Sequence, residues 1–379
     1  MQINTQANQD RPLAFGLYYF GSDEGGPKAD AQRRLLFESA RFADENGFSA
    51  VWAPERHFHA FGGLSPNPSV MAAAFAATTR NVRIRSGSVV VPLHHPARVV
   101  EEWSMVDFLS NGRVDMSLAS GWFPNDFVLA APGNYERRNE LVFERVEELR
   151  SLWAGDSFEA VNAVGDTVQL RTMPRPVQRT LPIWITAAGN PQTFARAGTM
   201  GLNILTHLLG QSLEALADKI AVYRQAWRDA GHAGQGTVSL MLHTFVGEDD
   251  AEVRRKVKAP MLNYLASSAN LVGSYATAVS FFQNPGAMKD VALTEADMND
   301  ALEFSFERYY ATSSLLGSMD ACLEMTDKLK AIEVDEVACL IDFGVDAESV
   351  LAALPALDEL RQLAQIPATE DTTEPAQVA

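Results

Sequence analysis

Along this chain, short and nearly continuous apolar runs alternate with longer stretches in which apolar residues return every three or four positions. The first pattern suits a strand buried on both faces, the second an amphipathic helix. "LAFGLYYF" (13–20) predicts a first strand, and "RRLLFESARFADENG" (33–47) a helix stopped at Gly47. "SAVWAPE" (49–55) predicts strand two, followed by a helix through "SVMAAAFAATT" (69–79). "VRIRSGSVVVPL" (82–93) predicts strand three, and "PARVVEEWSMVDFLSNG" (96–112) a helix that opens on Pro and closes on Gly. "RVDMSLAS" (113–120) and "ERRNELVFERVEELRSLWAG" (136–155) make a fourth pair. Four more strands are predicted at 181–189, 202–208, 238–247 and 336–344, with helices near 191–199, 212–230, 250–267 and 349–364.

Eight strand–helix units with apolar strands imply a parallel sheet closed into a (β/α)8 TIM barrel, in preference to an open doubly wound sheet. Two stretches exceed the minimal unit. Residues 156–180 predict an extra loop or hairpin, and about 268–318 a long insertion before the last strand. We expect a single barrel domain over 1–366. The tail 367–379, acidic and rich in Pro and Thr, is expected to be disordered.

Composition narrows the partners. The 31 basic and 48 acidic residues give a net charge of −17, which argues against nucleic acid and against anionic membranes. The N-terminal "MQINTQANQD" is polar, without a basic-then-apolar leader pattern, and no apolar run reaches the roughly 18 residues of a membrane helix. The expectation is a cytoplasmic protein, with Cys322 and Cys339 as reduced core thiols.

In such barrels chemistry sits at the C-terminal ends of the strands. Read that way, the polar residues fall into one layer. Glu55, Arg56 and His57 close strand two, Ser86, Gly87 and Ser88 lie in strand three, and His94 and His95 lie just beyond it. Ser120, Trp122, Asn125 and Asp126 follow strand four, and Gly189, Asn190 and Thr193 follow strand five. His207 ends strand six, His243 lies in strand seven and Asp342 in strand eight.

A metal-hydrolase reading draws on the H-x-H pair His57 and His59 with His207, His243 and Asp342. The pair belongs to the second strand where that chemistry wants it on the first, and no lysine ends strand four, so we expect no metal. "AAGNPQTFARAG" offers a phosphate the amino end of a helix, although an ordinary turn capped by Asn190 reads the same. "SGS" (86–88) offers backbone without side-chain obstruction to a flat ring, or serves packing alone. Glu55 and Arg56 read equally as a buried structural ion pair.

Together "SAVWAPERHFHAFGG", "SGSVVVPLHHPARVVEEWSMVD", "LSNGRV", "SGWFPNDF" and "LPIWITAAGNPQTF" resemble the bacterial luciferase-like flavin-dependent monooxygenases, in the family's order across about residues 13 to 364. The chain is most similar to an FMN-dependent subgroup associated with natural-product assembly lines. The resemblance implies that Gly189, Asn190 and Thr193 hold the FMN phosphate, with Ser120 where luciferase has an arginine. It implies that Ser86, Gly87 and Ser88 lie beneath the isoalloxazine, with a cis peptide at Gly87–Ser88. Luciferase's catalytic imidazole falls on Arg56, a permanent cation. This moves the expected catalytic set to His57 for proton transfer, Arg56 for anion binding and His207 next in line, while His94 and His59 are expected to be neighbours only.

The activity so implied is a two-component monooxygenase. A separate flavin reductase supplies reduced FMN, and O2 oxygenates a small-molecule or carrier-protein-bound substrate. No G-x-G-x-x-G strand–turn–helix is present for NAD. The alternatives are a deazaflavin- or NAD(P)H-linked oxidoreductase on the same fold and a non-catalytic flavin-binding barrel. A homodimer or homotetramer built through the flank helices is also implied.

Overall fold

The computed structural model describes residues 11–22, 28–272 and 295–365. The chain runs β1 (Ala14–Tyr18), α1 (Ala29–Glu45), β2 (Ala50–Ala53), α2 (Pro68–Thr78), β3 (Arg83–Ser86), β4 (Val89–Val90), α3 (Pro96–Ser110), β5 (Val114–Ala119), α4 (Asn134–Ala154), β6 (Phe158–Val161), β7 (Thr167–Leu170) and β8 (Ile183–Thr186). It continues through α5 (Pro191–Thr199), β9 (Asn203–His207), α6 (Leu213–Asp229), β10 (Val238–Gly247), α7 (Asp250–Val272), α8 (Glu295–Thr312), β11 (Leu315–Ser318), α9 (Met319–Ala331), β12 (Glu336–Leu340) and α10 (Ala347–Leu363).

The strands pair in parallel in the order β12, β1, β2, β3, β5, β8, β9, β10, and β10 returns to β12, so the sheet closes. This is the expected eight-stranded barrel, with β4 continuing β3 past the 87–88 peptide and pairing with β5. The strands read as unbroken apolar runs because the helices cover their outer faces and side chains fill the lumen. Local signals set the helix starts. Asn67 caps α2 by accepting from Ser69 N (2.9 Å), and Pro96 opens α3. Ser212 caps α6 and Asp346 caps α10.

The hairpin expected within 156–180 is present as β6 and β7, antiparallel and solvent-facing. Within the expected insertion at 268–318, a short strand stands at the far end. Leu315–Ser318 returns to the sheet as β11, paired with the outer half of β10 from Thr244 to Gly247, and α9 follows. Four residues carry too little periodicity to announce a strand. Residues 273–294 and the expected disordered tail lie outside the described residues. Cys322 and Cys339 are buried and unpaired, and no described helix is long and apolar enough to cross a membrane.

The barrel floor is charged. Arg85 on β3 reaches across the lumen to Glu336 on β12 (2.7 and 2.8 Å) and sideways to Asp115 on β5 (2.7 Å). Its guanidinium lies 4.9 Å from the Trp52 ring centre and 4.5 Å from that of Trp184. Ser49 and Ser239 fill the remaining lone pairs of Glu336, and Arg83 offsets Asp115. Two cations against two carboxylates, all hydrogen-bonded, make such a buried set tolerable. Burial alone would pull the Arg85 guanidinium down, but Glu336 and Asp115 hold it above its ordinary value.

Candidate active site

Above this floor, at the C-terminal strand ends, the polar layer read from the sequence assembles in two halves. On the β2 side, in the segment just past the end of the strand, Glu55 and His57 meet each other while Arg56 turns to a different partner. The alternative of a Glu55–Arg56 ion pair is therefore corrected by the structure. Arg56 Nη1 binds Asp126 Oδ2 at 2.5 Å, while Glu55 takes His57 and His94.

Arg56 is 3% exposed, and its guanidinium carbon lies 4.7 Å from the Phe123 ring centre and 5.4 Å from that of Trp122. Among the described residues its Nε and Nη2 have no hydrogen-bond partner, and neither has Asp126 Oδ1. Burial pulls the Arg56 guanidinium below its ordinary value despite Asp126, and burial pushes the Asp126 carboxyl up despite Arg56. For both partners, burial outweighs the attraction between them.

Glu55 Oε1 lies 2.9 Å from His57 Nε2 and 2.6 Å from His94 Nε2, and Oε2 accepts from Val90 N at 2.7 Å. Burial pushes the Glu55 carboxyl up, but these hydrogen bonds outweigh it and hold the group below its usual range. For His94, burial lowers the imidazole, yet Glu55 and Glu102 bring it above its ordinary value.

The Gly87–Ser88 peptide is cis, as the resemblance implies. A side chain at Gly87 would strike the Tyr18 ring at 2.7 Å, and the Tyr18 hydroxyl donates to Gly87 O. Ser86 is fully buried, and its hydroxyl donates to Ser117 O and accepts from Ser117 N (both 2.8 Å), joining β3 to β5. Ser88, Ser117 and Thr186 form a triangle of hydroxyls between β4, β5 and β8.

On the β8 side, the exposed Asn190 caps α5 by accepting from Gln192 N at 2.9 Å through its Oδ1, and its Nδ2 is a donor the cap does not use. Gly189 has nothing within 4 Å of where a side chain would stand, and Thr193 is half-buried in the first turn. Small residues and a helix amino end leave room for a phosphate here. Ser120 is half-buried after β5.

His207 ends β9, where burial lowers its imidazole to about 4, and its Nδ1 accepts from Leu209 N at 3.2 Å. His243 is lowered further, to about 3, by burial and then by His207, within a ring of Tyr264, Tyr309 and Phe343. His57, His59, His207, His243 and Asp342 do not converge on one point among the described residues. His95 caps α3, and His59 accepts from Phe61 N. The sequence reading gave no role to Asp126 or His94. Both partnerships are long-range, 70 and 39 positions apart, and no local pattern announces them.

A closed parallel barrel with this layer of polar strand ends is the architecture of an enzyme-type barrel, and the chain belongs to the luciferase-like monooxygenase family. The profile described as luciferase-like monooxygenase matches residues 14–336. The oxygenase component of the flavin-dependent trigonelline monooxygenase from Acinetobacter baylyi is 26% identical over 328 residues, 84% of this chain and 86% of that protein. An F420-dependent glucose-6-phosphate dehydrogenase from Amycolatopsis mediterranei is 30% identical over 226 residues, 56% of this chain and 65% of that protein. Among solved structures, the oxygenating constituent of 3,6-diketocamphane monooxygenase from Pseudomonas putida, in complex with FMN, superposes with a TM-score of 0.72 at 18% identity, over 93% of this chain and 99% of that one. The chain is a luciferase-like oxidoreductase whose relatives include flavin-dependent monooxygenases.

Proposed function

We propose that this chain is the oxygenase of a two-component system, taking reduced FMN from a separate reductase and using O2 to oxygenate an organic substrate, free or tethered to a carrier protein, in the cytoplasm. The observation that carries the reading is the open β8–α5 turn. Gly189, Thr193 and the Asn190 Nδ2 that the cap does not use suit a phosphate dianion at the positive end of α5. A flavin so anchored has the bare backbone of Gly87 and Ser88 and the hydroxyls of Ser88, Ser117 and Thr186 on nearby strand ends.

Reduced FMN, when bound, supplies the electrons that activate O2. The chain's own residues do the rest. Arg56 holds an anion, either oxygen-derived or an acid group of the substrate, through Nε and Nη2 while Asp126 fixes the opposite edge of the guanidinium. His57 moves the proton. Trp122, 53% exposed, and Phe123 wall the guanidinium from water. The exposed apolar side chains Val70, Met105, Phe108 and Leu109 on α2 and α3 suit a homodimer or homotetramer joined along this flank.

The relatedness to an F420-dependent dehydrogenase supports hydride transfer as the second reading. Anaerobic titration with reduced FMN, then with reduced F420, followed by aeration, separates the two. Oxygen uptake with hydrogen peroxide release from the FMN complex is expected. Tight F420 binding with no oxygen uptake by the FMN complex overturns the proposal. Dialysed protein should be colourless, since the reduced flavin is a shuttled substrate.

A further inference from the structure

Glu55, His57 and His94 share one oxygen. Both Nε2 atoms address Glu55 Oε1, at 2.9 and 2.6 Å, and the glutamate side chain is fully buried. A carboxylate oxygen only accepts, so each ring must present Nε2–H, and each ring's variable proton belongs to Nδ1. The trio contains one negative charge, enough to neutralise one imidazolium. A second would leave a net charge in a buried place.

The two rings also face different surroundings. His57 has an 11% exposed side chain just past the end of β2 and feels Asp126, which is itself bound to Arg56. His94, 31% exposed, lines a flank groove of about 580 Å3 beside His95, Asn134, Arg145 and Glu148, and feels Glu102 from α3.

We propose that this trio is a counter-protonation device in which a single imidazolium stands on His94 at rest and passes to His57 during turnover, with His94 discharging its proton into the flank groove. His57 Nδ1 gains a proton from the reacting substrate, and His94 Nδ1 loses one to groove water. One N–H bond forms and one breaks, both Nε2–H bonds stay in place, and the trio's net charge remains zero throughout. No proton crosses Glu55. The carboxylate couples the two rings by charge, so that proton uptake at the strand end and proton release at the flank accompany each other. His94 is thus a positioning residue for His57. The catalytic half of the inference rests on the proposed oxygenase reading, whereas the coupling itself does not.

The test is nitrogen-15 NMR of the whole, flavin-free chain with labelled histidines. Both rings should show Nε2–H tautomers at high pH and protonate in two separated steps, His94 first. In His94→Gln the amide nitrogen reaches the same oxygen without titrating, and His57 should then protonate at higher pH than in the unaltered chain. Glu55→Gln should abolish the separation. A single joint step, or a bare Nε2 on either ring, overturns the coupling whatever the enzyme's reaction is.

With reduced FMN and O2, His94→Gln should slow proton-limited turnover at least tenfold in dilute buffer. His94→Ala should be rescued by added imidazole, which the groove admits. Turnover of His94→Gln within twofold of the unaltered chain overturns the catalytic half. Absence of oxygen uptake by the unaltered chain would instead sink the oxygenase reading and leave the NMR result standing.

Discussion

Arg56→Lys asks what the unused edge of the guanidinium is for. Lysine keeps a positive charge and can keep the bond to Asp126, but it lacks the planar donors that Nε and Nη2 present without partners among the described residues. A charge-assisted hydrogen bond is worth about 1.5–3 kcal/mol. With the charge retained, the loss should approach one such bond, about 2 kcal/mol or roughly 30-fold in anion stabilisation. Stability should change little. Asp126 stays paired, and weaker contact with Trp122 and Phe123 costs about 0.5–1 kcal/mol, a shift of about 1–3 °C. The assay pairs melting curves with hydrogen peroxide release from the aerated reduced-FMN complex. If the anion is oxygen-derived, peroxide should escape faster by about that 30-fold factor. If it is a substrate acid group, the same factor should fall on KM with coupling intact. Both quantities within threefold of the unaltered chain, with a melting point many degrees lower, would refute the anion seat and make Arg56 scaffolding.

Asn190→Asp should retain the α5 cap, and hence the melting point. A carboxylate beside a phosphate should weaken reduced-FMN binding by about 1–3 kcal/mol, less so in high salt. Unchanged affinity in an anaerobic titration would place the phosphate elsewhere. Because the Glu55 carboxyl lies below its unfolded value, its contribution is complete above that value, 4.5, and is lost as pH falls through the folded one. Glu55→Gln should therefore destabilise by about 1.5–3 kcal/mol at pH 7 and by progressively less in acid, as followed by urea melts across pH. Asp342 is the opposite case, since burial raises it from 3.8 to about 7. The stability linked to it is complete below 3.8 and declines as pH rises toward 7. Asp342→Asn, which can still accept from Phe20 N, should melt higher than the unaltered chain at pH 8 and level with it at pH 4. A lower melting point at pH 8 would refute this.

The barrel was legible because burial on both faces writes each strand as an apolar run, and because eight such runs come at regular spacing. The positions of the site residues were legible because polar groups can interrupt those runs only at the strand ends. Their partnerships were not. Asp126 meets Arg56 from 70 positions away, a distance no local pattern encodes. The adjacency of Glu55 and Arg56 suggested a pair, yet beyond the end of β2 the two side chains take different partners, His57 and His94 for one and Asp126 for the other. Ser86 reads like Ser88 in sequence, yet its hydroxyl is fully occupied between β3 and β5. The charged floor was missed altogether, because nothing near Arg85 in the sequence announces its counter-charge Glu336, which lies 251 positions downstream.

That last separation matters while the chain is being made. A ribosome delivers Arg85 early and Glu336 almost last. Until β12 emerges, the guanidinium held between Trp52 and Trp184 lacks half of its counter-charge, and β1 and β10 present open edges. Synthesis therefore passes through a long interval in which most of the barrel exists and cannot shut. A nascent chain cut short before residue 336 is left with a buried cation and two unsatisfied strands, the kind of species that chaperones hold and proteases remove.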